Sequence, residues 1–432
     1  VPDFQYVEDK EFQLSERVES LRIEGARLYD GTGAPAVADS IVIVQGELIE
    51  WAGPADDAPL AGPDDLVLDA AGMSIMPGFI DSHVHLCAEH QRPARFDPMF
   101  IDHSELALRV LGNTQQALEA GVTTVIDCGG REYVTMTVRD AINAGIVQGA
   151  RVLTTGPGIT ITGGHFNWFA IEADSDTELR KAARTLVKQR ADHIKLFGTG
   201  GGLTMTSNPA RAQYSVEEFQ IVIDEAERGG ITVTTHVHGT PGIRNAIAAG
   251  IHRLEHCQFF NEDGGISFDE DIVRQIVDKR IPVSLGMARR WRTDSSIEEH
   301  LTPRQLKQRA IRDERMDVLR RFRTMGVQLI ASTDAGMTST PFNDLPNLMR
   351  FLVDSIGMGI PEVIHSVTGR AAAAVRQGDR LGAIQPGKAA DLRLVHGDPE
   401  VDTSALSAVA QVIRAGVVAG GPTAANGRRG AS

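Results

Sequence analysis

From about residue 78 onward the chain alternates short runs rich in apolar and β-branched residues with longer stretches whose apolar positions recur every three or four residues. The short runs predict buried strands, and the longer stretches predict amphipathic helices between them. The predicted strands are FIDSHVH (79–85), VTTVIDC (122–128), RVLTTG (151–156), HIKLFG (193–198), ITVTTHVH (231–238), IHRLEHC (251–257), IPVSLG (281–286) and VQLIAST (327–333). Between them lie helical segments such as SELALRVLGNTQQALEAG, TELRKAARTLVKQR and SVEEFQIVIDEAERGG, several closed by a glycine that suits a helix C-terminus. Eight strands with helical crossovers are the count for an α/β fold of the (β/α)8 TIM-like barrel type. Such a barrel gathers its reactive side chains at the C-terminal strand ends.

The flanks have a different texture. Residues 19–76 contain β-rich runs bounded by Gly, Asp or Pro. Beyond the eighth strand come a helical segment, PEVIHSVTGRAAAAV, and then RLGAIQPGKAADLRLVHGDP and AQVIRAGVVAGG, which return to a β-rich pattern. Both ends are expected to build one small sheet domain, from residues 1–77 and 379–432, around a barrel spanning 78–378.

Polar residues then collect where the barrel reading places its mouth. His83 and His85 are one residue apart on the first strand, so they project to the same face. Lys195 follows on the fourth strand, His236 and His238 on the fifth, His256 on the sixth, and Asp334 after the eighth. His83, His85 and Asp334 supply nitrogen and oxygen ligands for one divalent metal ion, and His236 and His256 supply a second. A protonated Lys195 cannot ligate. As a carbamate, formed with carbon dioxide, it could bridge both ions.

In these pieces the chain resembles the amidohydrolase superfamily, within it the imidazolonepropionase-like and prolidase-like (Xaa-Pro or Xaa-Arg dipeptidase-like) group. The matching stretches are PGFIDSHVHL, DHIKLFGTGG, YSVEEFQIVIDEAERGGITVTTHVHG, HRLEHC, STDAG and RLGAIQPGKAADL, in that order. The resemblance implies a distorted (β/α)8 barrel with a small β-sandwich made from both chain ends. It also implies a binuclear centre with the more buried metal on His83, His85 and Asp334, the more exposed on His236 and His256, and a carboxylated Lys195 as bridge. Zinc is the expected metal. The implied reaction is hydrolysis of an amide C–N bond by a metal-bridging hydroxide, with Asp334 as general base and then acid. The substrate expected is a dipeptide or N-acyl amino acid. A carbamate, urea, lactone or cyclic amide is the alternative on the same site, and a non-catalytic ligand-binding relative is the reading from another class.

Further positions fall near the expected mouth. His165, in the glycine-rich loop TITGGHFNW, and Tyr214, before a helix with a Ser215/Glu218 capping box, are expected to contact substrate, as is His238. Arg289, Arg290 and Arg292 follow the seventh strand, where an arginine could clamp a carboxylate. Trp168 and Trp291 could line an apolar subsite, whereas Cys87, Cys257 and His193 read as buried packing residues.

Composition narrows the function classes. A net charge of -14 lacks the basic footprint of a nucleic-acid binder. No stretch approaches the roughly 20 apolar residues of a membrane span. The three cysteines, Cys87, Cys128 and Cys257, are an odd, widely spaced set that suits free thiols in a reducing compartment, so a cytoplasmic location is expected. The expected partner is a small-molecule substrate, with the chain itself forming a homo-oligomer.

Overall fold

The computed structural model describes residues 20–63, 65–89, 101–289, 292, 312–337 and 339–420. Arg290 and Trp291 lie outside the described residues.

The strands in chain order are β1 (Ser20–Leu28), β2 (Val37–Gln45), β3 (Leu48–Pro54), β4 (Leu66–Asp69), β5 (Met73–Pro77), β6 (Phe79–Val84), β7 (Val122–Asp127), β8 (Arg151–Thr154), β9 (Gly158–Thr160), β10 (Ala170–Glu172), β11 (His193–Phe197), β12 (Thr232–Gly239), β13 (Arg253–Phe260), β14 (Val283–Ser284), β15 (Leu329–Ile330), β16 (Leu392–His396), β17 (Val409–Arg414) and β18 (Val417–Gly420). Two parallel sheets occupy the middle of the chain, β6-β7-β8 and β10-β9-β11-β12-β13-β14-β15. All eight predicted strands are present. β13 runs on to Phe260, beyond the predicted end at residue 257, and β9 and β10 are two short strands the periodicity did not mark.

Strands β6, β7, β11 and β12 are buried along their whole length, as parallel strands covered on both faces must be. The two sheets approach each other at both flanks. On one side Asp334 N donates to His83 O at 2.9 Å and His85 N to Ala335 O at 2.8 Å; on the other, Asp192 N donates to Thr154 O at 2.9 Å.

The crossover helices carry the caps that their sequences call for. The helices up to the fourth are α1 (His103–Glu119), α2 (Val134–Asn143), α3 (Asp176–Lys188) and α4 (Val216–Arg228). Asp102 accepts from Glu105 N at the start of α1, and Ser215 with Glu218 forms the predicted capping box on α4. Then follow α5 (Thr240–Ala248), α6 (Glu270–Asp278), α7 (Arg312–Met325) and α8 (Leu345–Phe351). The predicted helix PEVIHSVTGRAAAAV is divided into α9 (Ile360–Ser366) and α10 (Gly369–Ala373). Among the described residues no helix is long and apolar enough to cross a membrane.

Both chain ends meet in one eight-stranded sheet, ordered β18-β17-β16-β5-β1-β2-β3 with β4 on β1. Its apolar face has its own core, including Ile23, Val42, Ile75, Leu392 and Ile413. Asp391 fastens this sheet to the parallel strands: its carboxylate pairs with the buried Arg151 of β8 and accepts from Ala415 N, and its carbonyl accepts from Gly78 N at 2.8 Å.

Gly78 is the single residue between β5 and β6. A Cβ there would stand 2.2 Å from Thr123 Oγ1 and 2.7 Å from Thr123 Cβ, far inside contact distance. Gly78→Ala is therefore expected to lower folding stability by about 1–3 kcal/mol, the usual range for overpacking. Urea unfolding measures this, and the double variant with Thr123→Gly, which also removes the Cβ that would stand 2.7 Å away, should recover part of the loss. Full stability in Gly78→Ala alone would contradict the packing described.

Candidate metal centre

His83 and His85 sit at the end of β6, where alternation points both inward and burial removes them from water. Their Nδ1 atoms are occupied: that of His83 lies 2.7 Å from Glu255 Oε2, and that of His85 lies 3.1 Å from Gly129 O. Each Nδ1–H donates to its acceptor, which leaves each Nε2 as a lone-pair donor. Those Nε2 atoms stand 3.6 and 3.5 Å from Asp334 Oδ1. Donor atoms that share one ion at bond lengths near 2.1 Å lie roughly 3–4 Å apart, so this spacing suits one metal between them.

Asp334 is held from below. The carboxylate of Asp81 accepts from Thr333 N at 3.1 Å and from Thr333 Oγ1 at 2.5 Å, and Thr333 Oγ1 accepts from Ala335 N at 3.0 Å. The turn so fixed leaves Asp334 at φ 59°, a left-handed conformation that costs of order 1 kcal/mol for a non-glycine residue. Burial pushes the Asp81 carboxyl up to about 7, with the Thr333 hydrogen bonds opposing it.

A second set is formed by His236, His238 and His256, which each offer one ring nitrogen within 4.8 Å of the others'. His236 and His238 come from one face of β12. His256 reaches them from β13 by a different device, a left-handed φ of 67° followed by 50° at Cys257. Strict alternation would let either Glu255 or His256 face inward; the kinked backbone lets both. Glu255 was not predicted, because the alternation that finds His256 turns it away. It is fully buried and also accepts from Arg253 Nε at 2.7 Å and from Thr234 Oγ1 at 2.5 Å. Burial pushes its carboxyl up, but the charges of Arg253 and Lys195 and the hydrogen bond from His83 outweigh that and hold it well below the usual range.

Lys195 lies on β11, near enough to act electrostatically on members of both sets. Its charge acts on His83, His85, His236 and His256 alike, its side chain is fully buried, and its Nζ has no hydrogen-bond partner. A buried polar atom without a partner is costly. His236 Nε2 is also without one. Burial depresses all four imidazoles, His83 to about 4 and the others well below their ordinary value, so they are neutral and able to ligate near pH 7. Together these features fit a divalent metal centre.

Other candidates divide. His165 lines the pocket beside the second set, its ring 4.4 Å from that of His236 and its Nδ1 3.1 Å from Thr204 Oγ1. Tyr214 is not brought there: its hydroxyl donates to Ala173 O at 3.0 Å, and its ring packs on Phe219. Arg289 is exposed, with its backbone N–H donating to Thr340 Oγ1, and Arg292 is buried in an ion pair with Asp344. Trp168 is half-buried against Phe166 and does not line the pocket. Cys87, Cys128 and Cys257 are free and buried. The pocket over the two sets is lined further by Phe166, Phe197, Leu203, Gln258, Arg315 and Met337.

Gly286, at the end of β14, makes room for this arrangement. A Cβ there would lie 2.5 Å from His256 Cε1 and 3.1 Å from His83 Nδ1.

The sequence pattern of the Amidohydrolase family matches residues 74–422. Among curated proteins, the Ochratoxinase of Aspergillus niger is 25% identical over 425 residues, covering 91% of this chain and 85% of its own. The Imidazolonepropionase of Streptomyces griseus is 24% identical over 409 residues, covering 89% and 92%. Among solved structures, a Xaa-Pro dipeptidase with methionine bound in its active site superposes with a TM-score of 0.80 at 27% identity, covering 92% of this chain and 99% of that one.

Glu255→Gln is expected to weaken metal binding by about 10–100-fold, since the variant keeps the shape but loses the charge that orients His83. Competition against a chromogenic chelator measures it. An unchanged dissociation constant would leave the Glu255–His83 contact without a role at the centre.

Proposed function

The chain belongs to the amidohydrolase family, and from that premise we propose that it hydrolyses the amide C–N bond of a dipeptide or N-acyl amino acid at a two-metal centre. The observation that carries this reading is the adjacency of two donor sets, with the His83 and His256 rings 5.0 Å apart, together with a buried lysine whose Nζ has no hydrogen-bond partner.

In this reading His83, His85 and Asp334 would hold one ion and His236 and His256 the other, and Lys195, as a carbamate, would supply oxygen ligands shared by both. Zinc is the metal we assign. The bound ions would supply acidity that makes water nucleophilic near neutral pH and would polarise the scissile carbonyl. Asp334 accepts the proton of the attacking water and passes it to the departing amine, so one carboxylate serves as ligand and shuttle. His165 and His238, beside His236, orient the substrate carbonyl by hydrogen bonding. Phe166, Phe197 and Leu203 line one side of the pocket and give an apolar side chain a place to lie.

The same reading joins the two parallel sheets into one (β/α)8 barrel spanning residues 78–378, with the active site at its C-terminal mouth. It treats the sheet from residues 1–77 and 379–432 as the accompanying small β-sandwich. The backbone hydrogen bonds between β6 and residues 334–335 support the barrel.

Protein reconstituted with zinc and bicarbonate is expected to hold two metal ions per chain and to cleave members of a panel of dipeptides and N-acyl amino acids. Elemental analysis showing fewer than one ion per chain would sink the bridged centre. Lys195→Ala is expected to lose one ion and about 10³-fold in turnover, several kcal/mol of transition-state stabilisation. Full activity in that variant would point to a one-metal mechanism.

A further inference from the structure

We propose that Arg315, with Gln258 beside it, forms a cationic end of the substrate pocket and selects amides whose leaving amine carries a free carboxylate. The inference rests on the amide-hydrolase reading above and names the residues that choose among its substrates.

On α7 the buried residues are Arg315, Met316, Val318, Leu319 and Phe322. Arg315, Leu319 and Phe322 fall at i, i+4 and i+7, one core-facing stripe. An arginine thus occupies a position where the helical period calls for an apolar side chain. It also lies in the first turn of the helix, where the macrodipole disfavours a cation. The side chain is only 5% exposed. Packing would be served better there by leucine or methionine, so the charge needs another reason.

Its location gives one. Arg315 lines the pocket with His256 and Gln258, and its guanidinium stands 5.7 Å from the centre of the Phe260 ring. Gln258, two residues beyond His256 on β13, is 9% exposed, and its Oε1 has no hydrogen-bond partner. A guanidinium in the pocket wall can pair with a planar carboxylate through two N–H donors, while Gln258 Oε1, an acceptor, can take an N–H of the same substrate.

The pocket has two unlike ends. The rings of His165, His236, His238 and Phe260 follow one another at centroid distances of 4.4, 4.4 and 5.3 Å. His165 stands with Phe166 and Phe197 at one end of this row, and Phe260 with Arg315 at the other. A substrate lying across the histidines places an apolar group among the phenylalanines and its carboxylate at Arg315. The arginine comes from α7; of the described arginines after β14, Arg289 is exposed and Arg292 is paired with Asp344.

The test compares acids with their carboxamides, using zinc-loaded protein. N-acetyl amino acids and dipeptides should be hydrolysed about 100-fold better than the corresponding carboxamides, by kcat/KM. Arg315→Met should lose about 100-fold on the acids, chiefly through KM, and much less on the carboxamides, while Arg315→Lys retains part of the preference. Equal losses on acid and carboxamide would mark Arg315 as structural and overturn the proposal. Calorimetric binding of free amino acids against amino-acid amides gives a readout independent of turnover. If the unaltered protein binds no acid better than its amide, the proposal fails. Absence of any metal-dependent amide hydrolysis would instead sink the reading of the preceding subsection, and the binding comparison would still decide Arg315.

Discussion

The structure turns on the burial of polar groups that cannot satisfy one another. Four neutral imidazoles, a lysine amine and a carboxylate are gathered where water has little access. Removing such groups from water costs several kcal/mol each unless a partner compensates. Partners are supplied for one side of the set only. Glu255 and the Gly129 carbonyl take the outer nitrogens of His83 and His85, while Lys195 Nζ and His236 Nε2 have no hydrogen-bond partner. The protein thus uses its own hydrogen bonds to orient His83 and His85 and leaves the His236 Nε2 lone pair open toward the candidate centre.

Backbone strain is used for the same purpose. His256 and Asp334 both adopt left-handed φ values, which regular strands avoid. At His256 the kink lets two consecutive residues of β13 serve the centre, one as donor and one as the acid behind His83. At Asp334 the turn is pinned by Asp81 through Thr333, so β6 supplies both two donors and the anchor for a third. The close approach of Gly286 to both His83 and His256 shows how little slack remains.

Much of this was legible in the sequence where local periodicity carries the information. The eight parallel-strand segments, the α4 capping box and the order of the donor residues follow from spacing-two and spacing-3.6 patterns, together with the family resemblance. The failures have physical causes. Glu255 is invisible to alternation because its inward position depends on a positive φ one residue later. Tyr214 sits close in sequence to the mouth, yet its hydroxyl is taken by Ala173 O. Arg315 looks like one more arginine in a charged helix until its burial shows it on the apolar stripe. Such placements arise from tertiary contacts, which a linear pattern does not encode.

The joint at Gly78 has a consequence for how the molecule is made. β5 passes directly into β6, and β5 pairs with β16 in a register that sets Met73 opposite His396. The strand carrying His83 and His85 is therefore anchored to chain synthesised more than 300 residues later. A loop of that length closes slowly. During synthesis the first two histidines emerge long before their anchoring strand, Glu255 or Asp334 exists. The full donor set of the candidate centre thus exists only once most of the chain has been made.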